Sequence, residues 1–206
     1  LAVAVARRPP VVPEEVDASG GRALLADLAG DLPAVLGVAD TVGRGLAGWL
    51  AAGSDVPDDA LARMERQVAP GVGLLPRGAG PLGADRADAL AAQLATERRS
   101  VIVDCGCLAP GSAAAVLAGA ANRSLLVTRP CYLALRRVAQ APVAPSGVVL
   151  ITEPGRSLGR RDVEDVVGAP VVAELALDPA VARAVDAGIL AARLPRSFER
   201  ALRAAA

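Results

Sequence analysis

Residues 100–106 read Ser-Val-Ile-Val-Asp-Cys-Gly. Val101, Ile102 and Val103 form a β-branched run suited to a strand buried on both faces, and Asp104 closes it. Three other runs share this design: RALLADL at 22–28, SLLVTRP at 124–130 and GVVLITEP at 147–154. Each closes on a polar residue with glycine or proline close behind. Buried parallel strands look like this when their carboxyl ends open onto a ligand crevice. From the first run onward strand and helix patterns alternate: strand 101–104, helix 111–121, strand 124–128, helix 131–140, strand 147–152, helix 159–167, strand 170–175 and helix 178–187. Alternation at these lengths predicts βαβ crossovers, hence an α/β fold with a mostly parallel central sheet and helices on both faces, in three layers.

The segments ahead of residue 100 are less regular. Residues 1–8 read as the tail of a helix stopped by Pro9 and Pro10, and 9–22 as a loop. A strand over 22–28 ends at Asp27, and short helices are expected over 32–38, 46–52 around Trp49, and 58–68. A brief strand at 72–76 leads into the glycine-rich turn RGAGPLG, and a helix over 84–98 sets Ala87, Leu90, Ala91 and Leu94 on one face. No internal repeat or linker divides the chain, so 1–206 is expected to be a single domain, with a short basic helix at 191–206.

Composition narrows the function. Hydrophobic residues make up 53% of the 206 and aromatic residues 1%, so alanine, valine and leucine must build the core. A net charge of zero argues against specific nucleic-acid binding, which normally leaves a basic surplus. No apolar run approaches the roughly 18 residues that cross a bilayer. The opening LAVAVARR lacks the charged leader and cleavage site of a signal peptide, and three cysteines suit a reducing cytosol. Because the first residue is Leu1 rather than methionine, an amino-terminal piece is expected to be missing. All 22 basic residues are arginine and there is no histidine, which removes lysine Schiff-base chemistry and Ser/Cys–His catalysis. Cys105, Cys107 and Cys131 fall short of a four-ligand zinc site and read as small buried thiols.

Asp104 is the leading candidate for chemistry. A carboxylate at the end of a buried strand is costly unless a metal, water or donor meets it, and nucleotide hydrolases hold magnesium in this way. The bland alternative is an acid capping the next helix. Asp27 ends a neighbouring core strand and could orient an attacking water or shape a switch; as a turn former it would need no further role. Asp17, in a loop, is the rival for that switch and reads more simply as a turn residue.

From Ala23 onward these pieces, in this order, resemble the MinD/ParA family of deviant-Walker, P-loop ATPases, and within it the CpaE-like, septum-site-determining branch. ALLADLAGDLPAVLG is similar to the family's second-strand segment, SVIVDCG to its Walker B strand and SLLVTRPCYLALRR to the strand and helix that follow. The stretch GVVLITEPGRSLGRRDVEDVVGAPVVAELALDPAVARAVDAG is similar to the run from the adenine-side strand to the terminal Asp-Pro pattern. The resemblance implies a P-loop NTPase-like domain in which Asp104 is the Walker B aspartate, holding Mg2+ through water, and Asp27 the acid of the first switch. Thr128 and Pro130 would line the nucleotide side of the crevice, Thr152, Glu153 and Pro154 would lie near adenine, and Asp178 and Pro179 would close that pocket. ATP and Mg2+ are the implied cofactors, expected only with the family's lysine-bearing Walker A loop in place. That loop is absent from these 206 residues, and LAVAVARR looks like the helix that follows it. Ala29 stands where many members carry a second aspartate, Thr152 replaces a common asparagine, and Ala176–Leu177 replace a Pro-Glu pair. Either the chain is cropped after the loop or it belongs to a degenerate branch.

The resemblance implies a cytoplasmic, nucleotide-dependent homodimer that positions division, partition or pilus machinery. A nucleotide-independent scaffold of the same fold is the alternative, and a reductase-type nucleotide binder has only the shared sheet behind it. Leu194, Phe198 and Leu202 lie at helical spacing among Arg193, Arg196, Arg200 and Arg203. They suit either peripheral attachment to the inner membrane or a terminal helix docked on its own domain.

Overall fold

A computed structural model describes residues 2–7, 23–39, 43, 45–53, 56–57 and 59–205. The strands are β1 (Ala2–Arg7), β2 (Ala23–Asp27), β3 (Arg66–Ala69), β4 (Val72–Leu75), β5 (Ser100–Asp104), β6 (Ser124–Thr128), β7 (Gly147–Thr152) and β8 (Val171–Ala176). They form one sheet in the order β3-β4-β2-β5-β1-β6-β7-β8. β4, β2 and β5 run parallel, as do β6, β7 and β8, so the expected α/β architecture is present.

The helices are α1 (Leu32–Leu36), α2 (Leu46–Ala51), α3 (Ala60–Met64), α4 (Ala87–Ala95), α5 (Ala113–Ala120), α6 (Tyr132–Val138), α7 (Arg160–Val167), α8 (Pro179–Asp186) and α9 (Arg196–Ala205). α4 packs on α5, α6 on α7, and α1 on α8. β5 shows the two faces in sequence. Val101 and Val103 are buried beneath α4 and α5, whereas Ile102 between them is 37% exposed. The core is aliphatic: Leu24, Ala26, Leu74, Leu90, Leu126 and Leu150 are all buried.

Three expectations are corrected. Residues 2–7 are a strand and not the end of a helix, and β1 runs antiparallel to both β5 and β6 at the centre of the sheet. The alternation Ala-Val-Ala-Val-Ala has the period of a strand, and β-branched valine suits a pleated surface. The helix expected over 58–68 stops at Met64 because Glu65 turns to extended backbone, with ψ 138°. β3 then pairs antiparallel with β4, and Arg99 holds this corner by forking onto Glu65 at 2.6 and 2.8 Å. The helix expected over 84–98 is confined to Ala87–Ala95.

α1 and α8 meet where two glycines stand back to back. Gly37 ends α1 in the left-handed region at φ 70°, and a Cβ there would lie 2.1 Å from the Gly188 carbonyl oxygen. Gly168 ends α7 at a similar φ of 71° but faces open space. Gly168→Ala should therefore cost only the left-handed term, about 1 kcal/mol, while Gly37→Ala adds a backbone clash and should cost about 3 kcal/mol. Urea unfolding of both variants tests this; equal losses would contradict the close α1–α8 approach.

Candidate functional site

β2 and β5 are parallel neighbours in a register that sets Asp27 directly opposite Asp104. Both acids end their strands at the carboxyl edge of the sheet, and opposed residues of a parallel pair share a face. The Leu28 N–H donates to the Asp104 carbonyl at 2.9 Å and carries the pairing one residue further.

The two carboxylates differ in surroundings. Asp27 is fully buried. Its Oδ1 accepts from the Gly30 N–H at 2.6 Å and its Oδ2 from the Leu32 N–H at 3.3 Å. It thereby caps α1, whose N-cap residue Asp31 makes no side-chain cap bond. Burial raises the Asp27 pKa above its ordinary value; the two amide bonds oppose this, and the charges of Asp104 and Asp31 add to it. Asp104 is only partly buried, and its Oδ1 accepts from the Gly106 N–H at 2.9 Å. It does not cap α5: Ser112 does, accepting from the Ala115 N–H at 3.2 Å. The helix-cap alternative for Asp104 is thus filled by another residue.

The loop after Asp104 packs closely on the turn after Asp27. Gly106 has φ 57°, and a Cβ there would sit 3.1 Å from the Ala29 side chain. Alanine at position 29 fits that approach, and a larger residue would have to point elsewhere. Cys105 is buried, and desolvation pushes its thiol up to about 12, which makes it a packing residue. Cys107 is exposed and Cys131 half-buried.

The remaining candidates lie along the same edge, beyond β1. Thr128 and Pro130 are buried at the end of β6. Thr152 ends β7, and its hydroxyl reaches the Leu175 carbonyl at 3.5 Å. Glu153 bridges two arginines, taking Arg129 at 2.9 Å and Arg156 at 2.5 Å, and Arg156 first and Arg129 second pull its pKa below the ordinary value. Pro154 is exposed beside it. Asp178 caps α8, accepting from the Ala180 N–H at 2.8 Å and from the Ser197 hydroxyl of α9; the Ser197 bond leads in lowering its pKa. Pro179 is the first residue of α8. Strands are spaced by about 4.8 Å, so four intervals from β5 to β8 put Asp178 roughly 20 Å from Asp104. The structure thus joins Asp27 to Asp104 and sets Thr128 beside the Thr152 group, while Asp178 and Pro179 stand apart at the outer strand. Asp17 lies outside the described residues.

Among the described residues, no cluster of three or more His, Cys, Asp or Glu side chains could hold a metal. A pair of acids with one partly open carboxylate does suit magnesium, which keeps most of its waters. A triphosphate fits less well. No lysine is present to meet phosphate.

Sequence reasoning missed Arg77, just beyond β4. Its Nη1 donates to the Leu28 and Ala29 carbonyls at 3.1 and 3.4 Å, and its Nη2 to the Gly80 carbonyl at 3.4 Å. The signal was the one used elsewhere: a polar residue close behind an apolar run. α9 packs against β8 with Phe198 half-buried, as the docked-helix alternative requires, and Leu202 is 39% exposed. No helix among the described residues is long and apolar enough to cross a membrane.

No family model matches the sequence, and no curated protein matches it. Solved structures do. The ParA family ATPase from Chlorobium tepidum TLS is similar with a TM-score of 0.68 and 19% identity, over 88% of this chain and 82% of that one. The septum site-determining protein MinD complexed with Mg-ADP, from Pyrococcus horikoshii OT3, is similar with a TM-score of 0.64 and 22% identity, over 89% and 81%. The MinC:MinD cell division protein complex of Aquifex aeolicus contains a chain similar with a TM-score of 0.66 and 17% identity, over 90% and 83%. This chain has the fold of the MinD/ParA ATPases, as the resemblance of its motifs implied.

The Asp27 environment sets a pH dependence. Its folded pKa lies above the unfolded value, so over the interval between them the folded protein keeps a proton that the unfolded chain has lost. Stability must fall as pH rises through that interval, and the group contributes nothing below the unfolded value of about 4. Asp27→Asn cannot ionise. The wild type should therefore lose stability relative to this variant from about pH 4 upward, read from urea midpoints across a pH series. A pH-independent difference would sink the burial account of Asp27.

Proposed function

We propose that this chain is the body of an ATP-operated positioning protein of the MinD/ParA kind. The supporting observation is the register that opposes Asp27 to Asp104 at the carboxyl edge of the sheet. In this reading Asp104 holds Mg2+ through water, with the phosphates supplied a cradle by a Walker A loop that these 206 residues do not include. Asp27 is the acid of the first switch. Because it already bonds the Gly30 and Leu32 amides, it sets the conformation of the turn and, through that turn, the position of water. Thr128 and Pro130 flank the nucleotide, Thr152, Glu153 and Pro154 face adenine, and Asp178 and Pro179 bound the far side.

A MinD neighbour complexed with Mg-ADP supports the choice of ATP and Mg2+. The MinC:MinD neighbour supports a division-machinery partner, and nucleotide-dependent homodimerisation belongs to the same reading. The protein acts in the cytoplasm, with α9 as the element that could meet the inner membrane. Because α9 packs against β8 and Ser197 bonds Asp178 at the start of α8, it would first have to leave that site.

A nucleotide-independent scaffold is the second reading, favoured by the antiparallel β1 and by Ala29 against Gly106. Hydrolysis decides between them. The 206-residue chain should show no magnesium-dependent ATP turnover, since it has no lysine for the β/γ-phosphates. In a protein extended at its amino terminus by a Walker A loop, Asp104→Ala should abolish magnesium-dependent nucleotide binding. There Asp27→Ala should slow hydrolysis about 100-fold or more, and Asp17→Ala less than about threefold. Magnesium nucleotide binding that ignores the loss of Asp104 would remove Asp104 from the metal site, and no nucleotide binding at all by the extended protein would favour the scaffold.

A further inference from the structure

We infer that Arg77 is a positioning residue: its guanidinium latches the turn that holds Asp27 and ties that turn to the helix carrying the chain's single tryptophan. Its importance for hydrolysis rests on the nucleotide reading above; the latch itself rests only on geometry.

Past the Leu28 N–H, which still pairs with the Asp104 carbonyl of β5, the turn to Leu32 must satisfy its main-chain groups without a neighbouring strand. Its Gly30 and Leu32 N–H groups go to the Asp27 carboxylate. Its Leu28 and Ala29 carbonyls go to Nη1 of Arg77. Asp27 and Arg77 thus close the turn from its two sides, one accepting and the other donating. The fork geometry of a guanidinium lets one side chain reach these carbonyls and the Gly80 carbonyl at once.

Gly30 is shaped to this arrangement. Its φ is 96°, and a Cβ would lie 3.0 Å from Cδ of Arg77, so the aliphatic stem crosses over the glycine. The peptide of Arg77 is engaged as well. The Leu46 N–H donates to the Pro76 carbonyl at 2.9 Å and the Ala47 N–H to the Arg77 carbonyl at 2.8 Å, so the first turn of α2 is seated on it. Gly45 permits that seat, because a Cβ there would lie 2.6 Å from the carbonyl carbon of Arg77. α2 carries Trp49, with the Arg86 guanidinium 3.9 Å from its ring centroid and bonded to its carbonyl at 2.9 Å. The Trp49 indole N–H is buried without a hydrogen-bond partner among the described residues, so its emission is sensitive to small changes of packing. A movement of the Asp27 turn therefore reaches Trp49 through one residue.

Arg77→Met and Arg77→Lys keep the stem and remove the fork. Amide exchange followed by NMR should show Gly30 and Leu32 exchanging at least ~10-fold faster in both variants, with Val148 and Leu150 of β7 unchanged and Trp49 emission shifted. Gly30→Ala, which displaces the stem, should give the same pattern, and adding Arg77→Met to it should add little. Wild-type protection of Gly30 and Leu32 in the Met or Lys variant overturns the latch. So does faster exchange throughout the protein, since that would make Arg77 a general stabiliser. Loss of protection at Gly30 in an extended protein that binds no magnesium nucleotide would keep the latch and reject the nucleotide reading.

Discussion

Pairing of β2 with β5 in a single register brings two carboxylates together at the edge of a low-dielectric core, and the surroundings exist to make that tolerable. An unsolvated charge is costly, and a second acid next to it adds repulsion. The cost falls unevenly. Asp27 is sealed in and held by two amides, and it responds by keeping its proton to higher pH. Asp104, partly open, keeps an outlet toward solvent. The same register therefore yields one acid committed to shaping backbone and one able to meet an incoming cation.

The centre of the sheet carries a different constraint. β1 lies between β5 and β6 but runs against both, while the strands on either side of it are parallel in direction. Backbone hydrogen bonding is satisfied either way, because antiparallel pairing is at least as good per residue as parallel. Direction does set which end of β1 meets the acids: Ala4 pairs with Asp104, and Arg7 with Val101 at the far edge. Ile102 is 37% exposed although it belongs to a central strand. On β5 the face beneath α4 and α5 is thus buried, and the opposite face is partly open at Ile102.

Much of this could be read from residues. β-branched and aliphatic runs closed by a polar residue located β2, β5, β6 and β7 with their functional ends, because a buried strand and a crevice leave opposite marks on the same few positions. The pairing of Asp27 with Asp104 followed from two such strands being neighbours. What escaped depended on tertiary partners. Ala2–Arg7 has a two-residue period as well as the alanine content of a helix, and pairing with β5 and β6 decides between them. Residues 66–69 continued a helical pattern until Glu65 turned away to form a hairpin. Arg77 sat in a glycine-rich stretch that reads as a turn, and nothing in its own sequence says that its partners are carbonyls 48 and 49 residues earlier.

The adenine-side candidates differ from the acid pair in one respect that bears on how the crevice could work. Among the described residues no arginine pairs with Asp27 or Asp104, whereas Glu153 is bridged by Arg129 and Arg156, and Asp178 is held by Ser197 and the Ala180 amide. A base entering between β6 and β7 would have to draw Glu153 from exposed, water-screened ion pairs that hold it weakly. Displacing Asp178 would also uncap α8 and free α9 from its dock, since Ser197 binds the same carboxylate. Under the proposed nucleotide reading, engagement of Asp178 would therefore also release its bond to Ser197 of α9. In that reading a small displacement of one capping residue would loosen a distant basic helix, with the docking of α9 against β8 setting the resistance.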